Sequence, residues 1–326
     1  MRRREFISII GAMAAGPSPT LAQRRLPVVG FVSIASPAVH GAVLVPAFHR
    51  GLAQAGYVQG QNVDVAYLWA DGSYQILSKL MAEAVRRGVD VIVAAGGTAA
   101  AIAAKAATST IPVVILAGDD PVTLGLVASI NRPGGNVTGV AQLVTASENK
   151  RLELLHELIP KAQTIALLFN PTRANSHRQA EELRRAAETL RLSLSVVEAA
   201  ADDALPSAIA AARQGADALI VAADPYFFVR HDQIVRLAAD HSLPAMYFFR
   251  EFVSAGGLIS YGSNLADAYR EIGVYAGKVL GGGNPAVMPV VQQSDKLELV
   301  INLKTARALG VDVPPTLLAR TDEVLE

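Results

Sequence analysis

Two short polar loops in this chain carry residue types suited to holding charge. Gly96-Gly97-Thr98-Ala99 follows the apolar run Val89–Ala95 and opens an alanine-rich stretch. Glycines let a backbone approach a bound group closely, and free N–H groups at a helix start attract an anion. Thr98 adds a hydroxyl. A carboxylate suits such a loop. A dinucleotide suits it less well, because the full G-x-G-x-x-G pattern is missing. The loop also reads as a plain helix start capped by Thr98. Asp224-Pro225-Tyr226 holds the corresponding place in the second half of the chain. Its carboxylate can pair with an ammonium group, and Tyr226 and Phe227 offer an aromatic wall. The alternative is that Asp224 caps the next helix and the aromatics belong to the core. An anion site facing a cation site would be bridged by a zwitterion such as an amino acid.

Other polar residues stand at predicted strand ends, where loops carry function on a rigid scaffold. Ser33 and Ser36 follow the first apolar run, Asp119-Asp120 the run Val113–Ala117, and Asn170 the run Ile165–Phe169. Adjacent carboxylates can serve as acid and base, or bind a metal. Here no nucleophile or base accompanies them, so one is expected to cap a helix and one to face solvent or ligand. Arg250 and Glu251 lie among Tyr247, Phe248, Phe249 and Phe252, where a charge must be paired or exposed. Trp69, the single tryptophan, ends a strand and reads as a core or rim residue or as a surface for ligand stacking. The six histidines show no metal spacing, and the signatures H-E-x-x-H, G-x-S-x-G and G-x-x-x-x-G-K-[ST] are missing. The candidate ligand-binding set is therefore Ser33, Ser36, Gly97, Thr98, Ala99, Asp119, Asp120, Asn170, Asp224, Tyr226 and Arg250. No catalytic set, cofactor or metal is expected, and no enzyme activity.

The elements that position these residues recur. Gly88–Gly96 reads as turn, buried strand and strand-end loop, and Gly215–Asp224 reads the same way. An amphipathic helix precedes each. A further helix and a Pro-led apolar strand follow, at Ile111–Val114 and Leu243–Met246. Strands alternating with helices give parallel sheets covered on both faces. The fold expected is α/β, with two Rossmann-like lobes, and ligands bind outside the carboxyl ends of such strands. Helices are expected at Val45–Ala55, Gln75–Arg87, Ala99–Ala107, Lys150–Leu158, His177–Leu190, Leu205–Arg213, Phe227–Ala239, Ala266–Leu280 and Thr305–Leu309. The extended piece Val137–Leu143, after the turn cluster Asn131–Asn136, is expected to make the first crossing between lobes. The boundaries drawn are 27–138 plus about 264–286 for one lobe, and 139–263 plus about 287–326 for the other.

Composition narrows the function. With 326 residues there is room for two domains. A hydrophobic fraction of 51% favours a packed protein. The 29 basic residues balance 29 acidic ones without a long basic run, which speaks against nucleic acid. The lack of cysteine excludes disulfides, thiol catalysis and a lipidated N-terminal Cys. The N-terminus has the order of an export signal: Arg2, Arg3 and Arg4, an apolar run Phe6–Ala15, then small residues and breakers to Ala22. Arg3-Arg4-Glu5-Phe6-Ile7 resembles a twin-arginine signal. Residues 1–22 are expected to be removed near Ala22, with the mature protein periplasmic. The run is too short for a membrane span, and no later segment is long and apolar enough to be one.

Longer stretches resemble a known family. Asp120-Pro121-Val122, Gly125-Leu126-Val127-Ala128-Ser129 and Arg132-Pro133-Gly134-Gly135-Asn136-Val137-Thr138-Gly139 are similar to a signature of bacterial ATP-binding-cassette transporter substrate-binding proteins. So are Arg250-Glu251-Phe252, Ala255-Gly256-Gly257-Leu258, Ser260-Tyr261-Gly262, Leu299–Ala306, and Leu317-Leu318-Ala319-Arg320 with Asp322-Glu323-Val324. The match runs in order along nearly the whole chain. It implies a type I periplasmic-binding-protein fold whose lobes are joined by a multi-strand hinge. It also implies capture of a small solute by lobe closure and delivery to a membrane permease, and the protein is expected to be a monomer. Some members are similar to tryptophan and tyrosine binders, which agrees with the zwitterion argument. Two alternatives remain: a ligand-sensing protein for a regulatory or signalling partner, and a binder of another small polar or aromatic acid.

Overall fold

The computed structural model describes residues 25–41, 43–173, 176–293 and 297–326. The expected export signal lies outside the described residues. Among the described residues, thirteen strands form two sheets. The first contains β1 (Val28–Ser33), β2 (Asp64–Trp69), β3 (Val91–Ala94), β4 (Val113–Ala117), β5 (Val137–Ala141) and β11 (Val291–Gln292). The second contains β6 (Thr164–Phe169), β7 (Ser193–Glu198), β8 (Ala218–Val221), β9 (Ala245–Tyr247), β10 (Ile259–Ser263), β12 (Leu297–Asn302) and β13 (Glu323–Leu325).

The first sheet runs β2-β1-β3-β4-β5-β11 and the second β7-β6-β8-β9-β10-β12-β13. Both begin with the same doubly wound order, and in both the order reverses beside the first strand. All pairings are parallel except β10 with β12. The central strands VIVA, VVILA and ALIV are buried along their whole length. Runs rich in β-branched residues fit a sheet covered on both faces, as the sequence suggests.

One apolar cluster fills the space between the first sheet and the helices Leu77–Arg86 and Gly97–Ala107. A second begins on that sheet's other face and continues through the second sheet. Helix Leu265–Leu280 returns from the second sheet to cover the first and packs along helix Leu44–Gln54. Their backbones nearly touch. A Cβ on Gly51 would lie 1.8 Å from the Arg270 carbonyl oxygen, and one on Gly273 would lie 2.2 Å from that of Phe48.

Three expectations need correction. Val137–Ala141 is a strand of the first sheet, paired with β4, so the crossing comes after it. Gly139–Ala141 and Val291–Gln292 are hydrogen-bonded into the first sheet, whereas the drawn boundaries put them with the second lobe. The stretch Phe227–Ala239 is two helices, Pro225–Val229 and His231–Asp240. The break is at Arg230, whose guanidinium turns back to the Tyr226 carbonyl and Asp202 instead of continuing outward.

The chain passes between the sheets after β5, after β10 and after β11. The crossings are tied together. Gln142 Nε2 donates to Ser263 Oγ at 3.1 Å, and the Gln293 amide donates to the Ala141 carbonyl at 2.9 Å.

Candidate functional site

The strand order points to the site. At each reversal the loops after two neighbouring strands splay apart and leave a crevice. In the first sheet these are the loops after β1 and β3, carrying Ile34 and Ala95–Ala99. In the second they are the loops after β6 and β8, carrying Asn170–Arg173 and Ala223–Pro225. The two crevices face each other. Between them lies a cavity of about 80 Å³, several times the roughly 10–15 Å³ that one ordered water needs. Its walls are largely apolar, with Ile34, Leu116, Val144, Phe228, Phe248, Phe249, Leu265 and Tyr269 among them. Gly96, Gly97, Thr98, Gln142, Thr145, Arg173, Asp224 and Tyr74 bring polar groups to the same space.

At one end, helix Gly97–Ala107 begins with no side chain capping its first turn. Its leading N–H groups and its dipole favour an anion there. Gly97 has φ +73°, and a Cβ on it would lie 2.7 Å from Pro225 Cγ in the opposite loop. Only glycine combines that backbone with that approach.

Across the cleft, beside Pro225, sits Asp224, 2% exposed. Its Oδ1 accepts from Tyr74 Oη at 2.6 Å and from the Tyr226 amide at 2.6 Å. Its Oδ2 is buried without a hydrogen-bond partner. Burial raises the Asp224 pKa; Tyr74, Arg173, the Tyr226 amide and Asn170 pull it back. Burial, and then the Asp224 charge, push the Tyr74 phenol well above its usual value.

The lobes meet across the cleft. Tyr74 belongs to the loop after β2 and Asp224 to the loop after β8. Arg173 Nη2 also reaches Asp119 Oδ2, in the loop after β4, at 2.7 Å. Beneath the second loop pair lies a buried ion pair. Arg151 is fully buried, donates to the Val144 carbonyl at 3.0 Å, and approaches Glu148 at 3.4 Å. Glu148 Oε1 accepts from the Ala223 amide at 3.1 Å and from Gln179. Burial raises the Glu148 pKa and lowers that of Arg151, while each partner opposes the shift of the other.

Of the eleven candidates, Gly97, Thr98, Ala99 and Asp224 line the cavity. Asp119 lies just behind it, bonded to Thr98, Thr145 and Arg173. Asn170 is buried next to Asp224, with its Oδ1 used by the Thr172 amide and hydroxyl. The rest are elsewhere. Ser33 is buried in the sheet and accepts from the Ala35 amide. Ser36 precedes a short helix without capping it. Asp120 caps its own turn, accepting from the Val122 amide and Thr123 Oγ1. The Tyr226 hydroxyl goes to Asp202, with the Arg230 guanidinium 3.9 Å from the ring centroid. Arg250 pairs with Glu298 and Glu323 from β12 and β13.

Sequence reasoning passed over Tyr74, Gln142, Thr145, Arg173, Phe228 and Tyr269, and met Phe248 and Phe249 only as aromatic neighbours of Arg250. Arg173 alone had a signal, three residues past Asn170 in a loop already suspected. Among the described residues, no three His, Cys, Asp or Glu side chains stand where they could hold a metal ion. No described helix is long and apolar enough to cross a membrane.

Known proteins are similar to this chain in sequence and fold. A tyrosine-binding protein of Clostridioides difficile (strain R20291) is 29% identical over 264 residues, 81% of this chain and 75% of that protein. The structure of an ABC domain in complex with L-Trp from Streptococcus pneumonia is 26% identical, with TM-score 0.81 over 92% of this chain and 100% of that one. The ligand-free, open structure of a substrate-binding protein with adhesive properties from Clostridium difficile is 25% identical, with TM-score 0.64 over 92% and 99%. At nearly equal identity the chain superposes better on the L-Trp complex than on the open form, in keeping with lobes that touch. The model of the ABC transporter substrate-binding protein family matches residues 31–325. The chain belongs to that family of extracytoplasmic solute receptors and has its two-lobed, type I periplasmic-binding-protein fold.

Proposed function

We propose that this receptor captures an amino acid, aromatic by preference, in the cavity between its lobes. It then presents the amino acid to the membrane permease of an ATP-binding-cassette importer. One observation carries the reading: Asp224, buried with Oδ2 unpartnered, faces the cavity opposite an uncapped helix N-terminus. A buried carboxylate oxygen without a donor calls for a cationic donor, and an uncapped helix start calls for an anion. An α-amino acid has both charges on one carbon. The walls between them, with Phe228, Phe248, Phe249 and Tyr269, suit an apolar or aromatic side chain. The ligands named for two relatives, tyrosine and L-Trp, support the same class.

The protein acts as a monomer in the periplasm, after an export signal in residues 1–22 has been removed near Ala22. The test is isothermal titration of residues 23–326 with the twenty amino acids, aromatic acids, sugars and polyamines. Binding of tyrosine, tryptophan or phenylalanine, lost in Asp224→Asn, is the expected result. Binding of sugars or simple acids alone would overturn the amino-acid reading and leave the receptor in place.

A further inference from the structure

Asp119 is 7% exposed and forms a junction between the lobes. Its Oδ2 accepts from Thr98 Oγ1 at 2.6 Å and from Arg173 Nη2 at 2.7 Å. Its Oδ1 accepts from Thr145 Oγ1 at 3.0 Å. Arg173 Nη1 donates to Gln179, so both terminal nitrogens of the guanidinium are engaged within the protein. Arg173 is the one cationic side chain among the described residues lining the cavity. A solute carboxylate in this cavity would seek side-chain donors such as the Arg173 guanidinium and the Thr98 and Thr145 hydroxyls. Asp119 holds all three. With Arg173 neutralised by Asp119, the unbalanced charge at the cavity is the Asp224 carboxylate.

We propose that Asp119 is a specificity-determining residue: by engaging Arg173 from across the cleft and Thr98 from its own lobe it withholds their donors from the solute, so the cavity selects for an ammonium group and against a bare carboxylate. The solute's own carboxylate, where present, is left to the backbone N–H groups that open helix Gly97–Ala107. This inference rests on the amino-acid reading of the cavity, and its test is chosen to be separable from it.

Asp119→Asn keeps the shape and an acceptor oxygen and removes the charge, which frees Arg173 to pair with an anion. The two ligands are L-tyrosine and 3-(4-hydroxyphenyl)propionate, the same body without the ammonium group. Both are titrated calorimetrically into the native protein and the variant. A freed buried guanidinium is expected to raise affinity for the propionate by about tenfold or more. Affinity for L-tyrosine falls in the same variant. In Asp119→Asn/Arg173→Gln the gain for the propionate disappears, because it acts through Arg173. Asp119→Ser, which also removes the carboxylate, is read in the same way and covers poor folding of the first variant. A merely structural role would weaken both ligands together. No gain for the propionate in either single variant, or a gain that survives loss of Arg173, overturns the proposal. Failure of the native protein to bind any aromatic amino acid overturns the amino-acid reading instead, and the propionate comparison still decides the role of Asp119.

Discussion

Tyr74 Oη donates to Asp224 Oδ1 at 2.6 Å, a bond from the loop after β2 in one sheet to the loop after β8 in the other. Because it spans the two sheets, moving them apart would break it. Any solute that shifts the open–closed balance does so through its preference for the shut form. Contacts such as this one set the energy of that form before a solute adds to it.

Tyr74→Phe removes this donor and leaves the ring. A hydrogen bond to a charged group contributes roughly 1.5–3 kcal/mol, so the affinity for an aromatic amino acid should fall about tenfold or more. Stopped-flow binding should put the loss in a faster dissociation rate, since the bond forms after encounter. An unchanged dissociation rate would remove Tyr74 from closure.

Gly97→Val should block closure. The side chain would strain a backbone at φ +73° and drive into Pro225. Calorimetry should show amino-acid binding lost, while the ligand-free protein keeps its circular dichroism spectrum. Normal affinity in the variant would mean that the lobes do not need this approach to bind.

Glu251 gives a pH signature. Burial raises its carboxyl pKa to about 6, opposed by a backbone hydrogen bond and Arg250, and Oε2 has no hydrogen-bond partner. The unfolded chain ionises this group nearer the ordinary 4.5. Between those values the unfolded state binds fewer protons, so this group's contribution falls as pH rises through the window. Above pH 6 the penalty is complete, about 2 kcal/mol from the shift. Glu251→Gln should therefore melt a few degrees above the native protein at pH 7, and the gap should close towards pH 4. Melting curves that run in parallel from pH 4 to 8 would contradict this.

Arg151→Ala should be far more damaging. It would leave Glu148 buried without its ion-pair partner, a loss of about 3–5 kcal/mol. Urea unfolding should show this drop, and Glu148→Gln/Arg151→Met should recover much of it. A drop below 1 kcal/mol would mean that the pair contributes little.

Replacing Arg3 and Arg4 with Lys should stop export, if residues 1–22 are read as a twin-arginine signal. Fractionation of cells that express the full chain would show the protein retained in the cytoplasm. Continued appearance in the periplasm would assign export to another route.

The sheets were legible because buried parallel strands must be continuous apolar runs, and Val91–Ala94, Val113–Ala117 and Ala218–Val221 could be little else. The cavity loops were legible where chemistry and position coincided, as at Gly97, Thr98 and Asp224. What was hidden depends on how far apart residues meet. Tyr74 and Asp224 are 150 positions apart, and nothing local to either announces the bond. Tyr269 sits in an ordinary amphipathic helix, where an aromatic facing a cavity looks like one facing a core. Arg250 misled for the opposite reason: its charge among aromatics was a true signal of pairing, but the partners, Glu298 and Glu323, lie on the far strands of the second sheet. Phe227–Ala239 kept an unbroken helical period across a break that only the Arg230 backbone reveals.

The close seating of helix Leu265–Leu280 on helix Leu44–Gln54 also bears on how the molecule is made. The amino-terminal half cannot finish its own interior from its own residues. Until position 280 has left the ribosome, the face around Phe48 and Gly51 waits for a neighbour encoded more than two hundred codons later. Synthesis from front to back therefore leaves the front unfinished until this late helix arrives.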